Sequence, residues 1–97
     1  MKPETILHEA CTVAGVAVEA VKRRSHLAKF VRARDLFAYA ANHVYGYTAA
    51  SIAPHINRER SSLTYATQRA RHMRKHCPEF NRQINVLLAR LKSHENQ

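Results

Sequence analysis

Tryptophan is absent from this 97-residue sequence, and glycine occurs only twice, proline three times and cysteine twice. So little glycine and proline leaves few of the turns that a many-stranded β domain needs. Ala, Leu and Arg are plentiful instead, which favours helices. No apolar run reaches the ~18 residues that cross a bilayer. The opening Met1-Lys2-Pro3-Glu4-Thr5 lacks an apolar stretch with a small-residue cleavage site, so export is not expected. In an unexported chain Cys11 and Cys77 read as reduced thiols. Acids are scarce as well: 7 Asp+Glu face 16 Lys+Arg, a formal charge of +9.

What remains is short, basic and foldable. The length suits one domain, residues 1–97 with an ordered core of about 3–92, and excludes a nucleotide-driven enzyme on a doubly wound sheet. A hydrophobic content of 45% is that of a globular chain, so the charge rides on a fold. A domain this basic suits a polyanionic partner, nucleic acid first and an anionic membrane surface second.

Six helical segments are expected, giving an all-α domain. Pro3 can open the first, with Ile6, Leu7, Ala10, Val13 and Ala14 at helical spacing and Gly15 as its stop. A short piece lies around Val18–Val21 and breaks up in Lys22-Arg23-Arg24-Ser25-His26. A long helix runs from about Lys29 to Tyr45, its inner stripe Phe30, Phe37, Ala40, Ala41 and Val44, and Gly46 ends it. Thr48 caps a short helix with Ile52 inward and Pro54 an awkward occupant. After a tight turn at His55-Ile56-Asn57-Arg58, a helix covers Glu59 or Ser61 to His76, burying Leu63, Ala66, Ala70 and Met73. Pro78 opens the last, with Phe80, Ile84, Leu87, Leu88 and Leu91 inside. The polar tail Ser93–Gln97 is expected to fray.

The stretch from Tyr47 to Arg74 has the layout of a helix-turn-helix, in which the second helix enters the major groove and its first turn reaches base edges. Arg58, Glu59, Arg60, Ser61 and Ser62 suit that task. Arg can bond guanine O6 and N7, Glu can accept from cytosine N4, and Ser can bond bases or phosphates. The plain alternative, capping by Glu59 and Ser61 beside solvated arginines, is outweighed by the charge and the preceding short helix. A second run, Lys22, Arg23, Arg24, Lys29, Arg32 and Arg34, holds no acid before Asp35. Cations at a helix N-terminus oppose its dipole by about 0.3–1 kcal/mol each, so the run reads as a phosphate or minor-groove surface. Arg69, Arg71, Arg74 and Lys75, near a helix C-terminus, carry a weaker signal. The two basic segments, Lys22–Arg34 and Arg58–Lys75, are expected on one face.

Enzymes and metal sites fare poorly. His72, His76 and Cys77 make at most a partial zinc set, no phosphate-cradling glycine loop exists, and no carboxylate pair stands out. RNA modules stack bases on exposed aromatics, whereas Phe30, Phe37, Phe80 and Tyr65 fall at or near core positions, leaving Tyr39, Tyr45 and Tyr47 as exceptions.

In order and spacing these pieces resemble the C-terminal DNA-binding domain of the bacterial replication initiator DnaA, from about Glu4 to Leu91. The matching segments are Gly15-Val16-Ala17-Val18-Glu19, Val31-Arg32-Ala33-Arg34, Ser51-Ile52-Ala53 with Ile56, and Arg58-Glu59-Arg60-Ser61-Ser62-Leu63 in place of R-D-H-[ST]-T-V. The resemblance implies a six-helix domain and a minor-groove contact from the basic loop, whose arginine corresponds to His26 without gaps, or to Arg24 nearby. Three departures stand out. The usual ATPase module is missing, so ATP-driven origin melting is not expected. Asn57 replaces a Gly-Gly turn one residue longer. Glu59-Arg60 replaces Asp-His, which should move the preferred sequence away from the initiator's box and toward a guanine edge.

The expected function is therefore a stand-alone, cytoplasmic and nucleoid-associated binder of double-stranded DNA that regulates transcription or replication initiation. The candidate contacts are Arg24, His26, Lys29, Arg32, Arg34, Thr48, Arg58, Glu59, Arg60, Ser61, Ser62, Tyr65 and Arg69. No cofactor, metal, membrane or small-molecule substrate is expected; a homodimer or a protein partner stays open. The competing expectation is a protein-interaction adaptor or initiator modulator that has lost specific DNA reading and would shift a random duplex weakly or not at all.

Overall fold

Pro3 opens the first helix and a left-handed glycine closes it. The computed structural model describes residues 1–95, in which α1 spans Pro3–Ala14 and Gly15 sits at φ 74°. That turn lets the Gly15 and Val16 N–H groups donate to the carbonyls of Thr12 and Cys11 at 3.2 and 3.0 Å, satisfying the helix end. The short α2 covers Val18–Val21. α3 runs Ala28–Ala38 and continues as a π turn over Tyr39–Val44. α4, Ala49–Ile52, tightens into a 3₁₀ turn over Ala53–Ile56. α5 spans Arg60–His76 and α6 Pro78–Glu95, and no strand occurs among the described residues. The all-α class and the count of six helices match expectation.

α3 is the hub. Every residue from Ala33 to Ala41 is buried, so beyond its exposed first turn this stretch is enclosed on all sides rather than amphipathic. Leu36 and Phe37 share one buried core with Ile6 from α1, Val21 from α2, Ile52 from α4, Leu63 from α5 and Phe80, Ile84, Leu87 and Leu91 from α6. Each large apolar side chain so buried contributes roughly 1.5–3 kcal/mol.

Several expectations need correction. Phe30 is only half-buried and Val44 is 45% exposed, so neither belongs to the inner stripe. The π turn explains Val44: its wider turn accommodates an extra residue, which shifts the angular register of the residues beyond it. Asn42 Nδ2 then donates to the Tyr47 carbonyl at 2.7 Å and folds the chain back through Gly46 at φ 78°. Met73 and Leu88 are half-buried. Pro54 lies at the start of the 3₁₀ turn, where its missing N–H interrupts no α-helical ladder. The helix expected from Glu59 or Ser61 starts at Arg60, within those bounds, with Glu59 as its N-cap residue. Ser93 to Glu95 continue α6; residues 96 and 97 of the expected frayed tail lie outside the described residues.

One buried acid joins the chain's two ends. The Glu9 side chain, 7% exposed, accepts from Arg90 Nε at 2.8 Å, and His8 and His94 approach it at 3.6 and 3.8 Å. Burial pushes its carboxyl upward, but the Arg90 hydrogen bond and charge, then His94 and His8, outweigh burial and hold it below the usual carboxylate range. A depressed folded pKa contributes stability above the unfolded value of about 4.3 and loses it as pH falls through the folded value. Urea unfolding followed by circular dichroism should therefore show the midpoint falling between about pH 5 and pH 3. Glu9→Gln should lower stability at neutral pH by about 1–3 kcal/mol and flatten that acid decline. Equal acid decline in both proteins would remove Glu9 from this role.

Candidate nucleic-acid interface

The turn between α4 and α5 is built from local signals. Thr48 Oγ1 accepts the Ser51 N–H at 3.2 Å, and Ser51 Oγ donates back to the Thr48 carbonyl at 2.8 Å, so the α4 N-terminus is capped. Asn57 adopts a left-handed φ of 54°, a conformation asparagine tolerates better than most residues. The Asn57 and Arg58 N–H groups then donate to Pro54 and Ala53 carbonyls, both at 3.1 Å, and the chain reverses into α5. Buried Ile52, Ile56 and Leu63 hold α4 against α5.

The loop after α2 is held by one side chain. Arg34, 7% exposed, donates from Nε to the Val21 carbonyl at 2.9 Å, from Nη1 to Ser25 at 2.7 Å and from Nη2 to Arg23 at 2.5 Å. The same Arg23 carbonyl accepts from Arg58 Nη2 at 2.5 Å. The basic loop and the helix-turn-helix turn thus share one oxygen atom. Burial, and next the nearby Arg58 charge, lower the pKa of the Arg34 guanidinium.

On α3 the next residue holds α5. Arg69 donates to both oxygens of Asp35, Nε at 3.0 Å and Nη2 at 2.6 Å, with the Asp35 side chain 2% exposed. Burial raises the Asp35 carboxyl's pKa, with the Arg69 fork pulling it back, while the hydrogen bond to Asp35 holds Arg69 more firmly protonated.

The expected contact residues consequently part company. Arg24 and His26 meet Asn57, Arg58, Glu59 and Ser62 around one shallow cleft at the start of α5. Arg60 and Ser61 are exposed on the same helix end, and Tyr65, one turn further, is 67% exposed. Glu59 makes no side-chain bond to the helix it precedes, so the first N–H groups of α5 lack a side-chain cap. Arg34 serves as a buried clamp, its guanidinium occupied by the Val21, Ser25 and Arg23 carbonyls. Arg32 turns toward α6, with Nη1 on Gln83 Oε1 at 2.6 Å and its guanidinium 5.5 Å from the Phe80 ring centre. Lys29 is exposed and lies over Phe30. Thr48 uses its hydroxyl for capping, and Arg69 commits one edge of its fork to Asp35. The two basic segments therefore share a face only in part. Arg74, farther along α5, donates to the Tyr39 hydroxyl at 2.7 Å and stacks over its ring.

The aromatic expectation also changes. Tyr39 is buried and Tyr45 and Tyr47 are half-buried, whereas Tyr65 is the exposed ring. Sequence reasoning missed Asp35 altogether, although two adjacent charges inside the apolar stretch Ala33–Ala41 were a signal that both are paired internally. His72 and His76 stack with ring centres 4.4 Å apart, and no group of three or more His, Cys, Asp or Glu gathers at metal-ligand range among the described residues. Cys11 is buried, which pushes its thiol up to about 11, and Cys77 is half-buried; both are free. Compared with known proteins, the chain matches no family model and no curated sequence.

Arg34→Lys tests the clamp, because an ammonium has no planar fork to span three carbonyls. The substitution should cost about 1–3 kcal/mol and speed amide exchange in residues 22–27 and at the start of α5. Hydrogen-exchange mass spectrometry reads this; unchanged exchange in the loop would refute the clamp.

Proposed function

We propose that this chain binds double-stranded DNA sequence-specifically as a helix-turn-helix module related to the DnaA DNA-binding domain. In this reading α5 enters the major groove by its N-terminal end, and the loop of residues 22–27 follows the adjacent backbone and minor groove. The observation that carries it is the shared Arg23 carbonyl, which fixes Arg24 and His26 beside Arg58, Glu59 and Ser62 at the helix start. An uncapped helix N-terminus attracts phosphate, and a groove about 12 Å wide admits one helix.

Roles follow from chemistry. Arg60 reads a guanine edge through O6 and N7, and Glu59 accepts from a cytosine amino group. Ser61 and Ser62 bond bases or phosphates, and Tyr65 lies against the sugar-phosphate strand or a thymine methyl. Arg24 and Lys29 neutralise phosphates, and His26 can hydrogen-bond one. Arg58 braces the loop and adds charge. Asp35, through Arg69, sets where α5 lies, which is a positioning role. The activity this supports is regulation of transcription or replication initiation in the nucleoid, without catalysis. One recognition helix makes a small interface, so paired or repeated sites would add specificity.

Selection from a random duplex library should return a guanine-containing site that differs from the initiator's box. Arg60→Ala should change that preference and cost about 1–3 kcal/mol on the selected site. Arg24→Ala should weaken all duplexes alike and reduce the salt slope by about 0.9, one phosphate's share. If Arg60→Ala altered neither affinity nor preference, α5 would not be the reading helix; if no duplex were retained at low salt, the DNA reading itself would fail.

A further inference from the structure

Charge does not account for Leu27. Its side chain is 59% exposed, and Arg24, His26, Ala28 and Lys29 around it are exposed as well. Leu27 is also the N-cap residue of α3, where Ser, Thr, Asn or Asp would accept a helix N–H, and no side-chain cap bond forms there. Leucine thus forgoes a capping bond and leaves apolar surface in water at a single position. Natural sequences depart from one or two local rules at functional sites.

The backbone beneath this side chain is firmly held. The Leu27 carbonyl accepts from the Phe30 and Val31 N–H groups at 3.0 and 3.1 Å. Its own N–H donates to Ser25 Oγ at 3.3 Å, and the Ser25 carbonyl is gripped by Arg34. The result is an apolar tip on a braced base, flanked in the chain by exposed Arg24, His26 and Lys29 and anchored to the helix-turn-helix through Arg23 and Arg58.

We propose that Leu27 is a wedge that bends DNA. Resting on the DNA-binding reading above, Arg24, His26 and Lys29 take phosphates while the leucine enters the minor groove and slides between two base pairs. Such apolar insertion unstacks a step and kinks the duplex toward the major groove. With α5 in that groove, the kink would close the duplex around the domain and enlarge the small footprint of one helix. Pyrimidine–purine steps unstack most readily, so a TA or CA/TG step is expected where the loop lands. An apolar tip among cations also suits an anionic lipid surface. One leucine buries too little for stable anchoring, however, and its link to the helix-turn-helix turn favours DNA.

The test uses a duplex of about 30 bp, chosen by the library selection, with donor and acceptor dyes at its ends and 2-aminopurine at the flexible step. The wild-type protein should shorten the end-to-end distance by the equivalent of a bend of about 20–90° and brighten the 2-aminopurine as it unstacks. Leu27→Ser, at an exposed position that leaves the core intact, should lose at least half of the bend and the brightening, with affinity falling about tenfold or less. Leu27→Phe should keep both signals. Wild-type binding with a straight duplex, or equal bending by Leu27→Ser at saturation, would overturn the wedge while leaving DNA binding intact. Loss of binding to phosphatidylserine vesicles in Leu27→Ser, alongside unbent DNA, would overturn it in favour of a lipid role. Failure of the wild type to bind any duplex would overturn the DNA reading and the wedge together.

Discussion

Two neighbouring charges inside the central helix govern how the surface of this domain is arranged. Arg34 gathers three carbonyls of the loop, and Asp35 takes the forked guanidinium of Arg69 on α5. Both sit in a stretch that is otherwise alanine and large apolar side chains, where an unpaired charge would cost several kcal/mol. Each is satisfied: no buried side-chain nitrogen or oxygen among the described residues lacks a partner. One turn of α3 therefore positions the loop and the helix that together form the candidate interface.

This divides the labour between apolar and polar interactions. Ile6, Leu36, Phe37, Leu63, Phe80 and Ile84 supply the driving force for folding, and they would tolerate small slips of one helix on another. A bidentate guanidinium–carboxylate pair does not, because its two bonds fix both distance and orientation. A buried pair of this kind adds little net stability over an apolar replacement, yet losing one partner strands the other. Its value in this chain is geometric. The Glu9–Arg90 pair likewise ties α1 to α6.

Features that depend on neighbours in the chain were legible from sequence. Pro3 and Gly15 bracket α1, Val18–Val21 is α2, Thr48 caps α4 and Asn57 makes the turn, because each signal acts within a few residues. Features set by tertiary contacts were not. Helical periodicity assumes a uniform turn, so the π segment and the outward Val44 escaped it. A run of arginines reads as one solvated surface, yet Arg32 turns to Gln83, Arg34 turns inward and Arg24 stays out. The acceptor joining loop and turn is the Arg23 carbonyl, a backbone atom that residue identity cannot reveal. Asp35 was hidden for the converse reason, since its partner lies on another helix.

The same geometry leaves an electrostatic imbalance. Arg34 and Arg58 converge on one neutral oxygen, and the carboxylate beside them, Asp35, has both oxygens committed to Arg69. With Arg24 also nearby, the cleft gathers positive charge around one acid, Glu59, at the end of a helix whose dipole adds more. Self-repulsion of this kind destabilises a compact state, and salt screens it only where solvent reaches. A polyanion seated across the cleft would remove the repulsion and fill the role of the missing cap. Binding would then be strengthened by relief of strain already present in the folded chain, and by linkage the fold would be most stable in the complex. Charge that is a liability to the free domain would then become part of the affinity for its proposed partner.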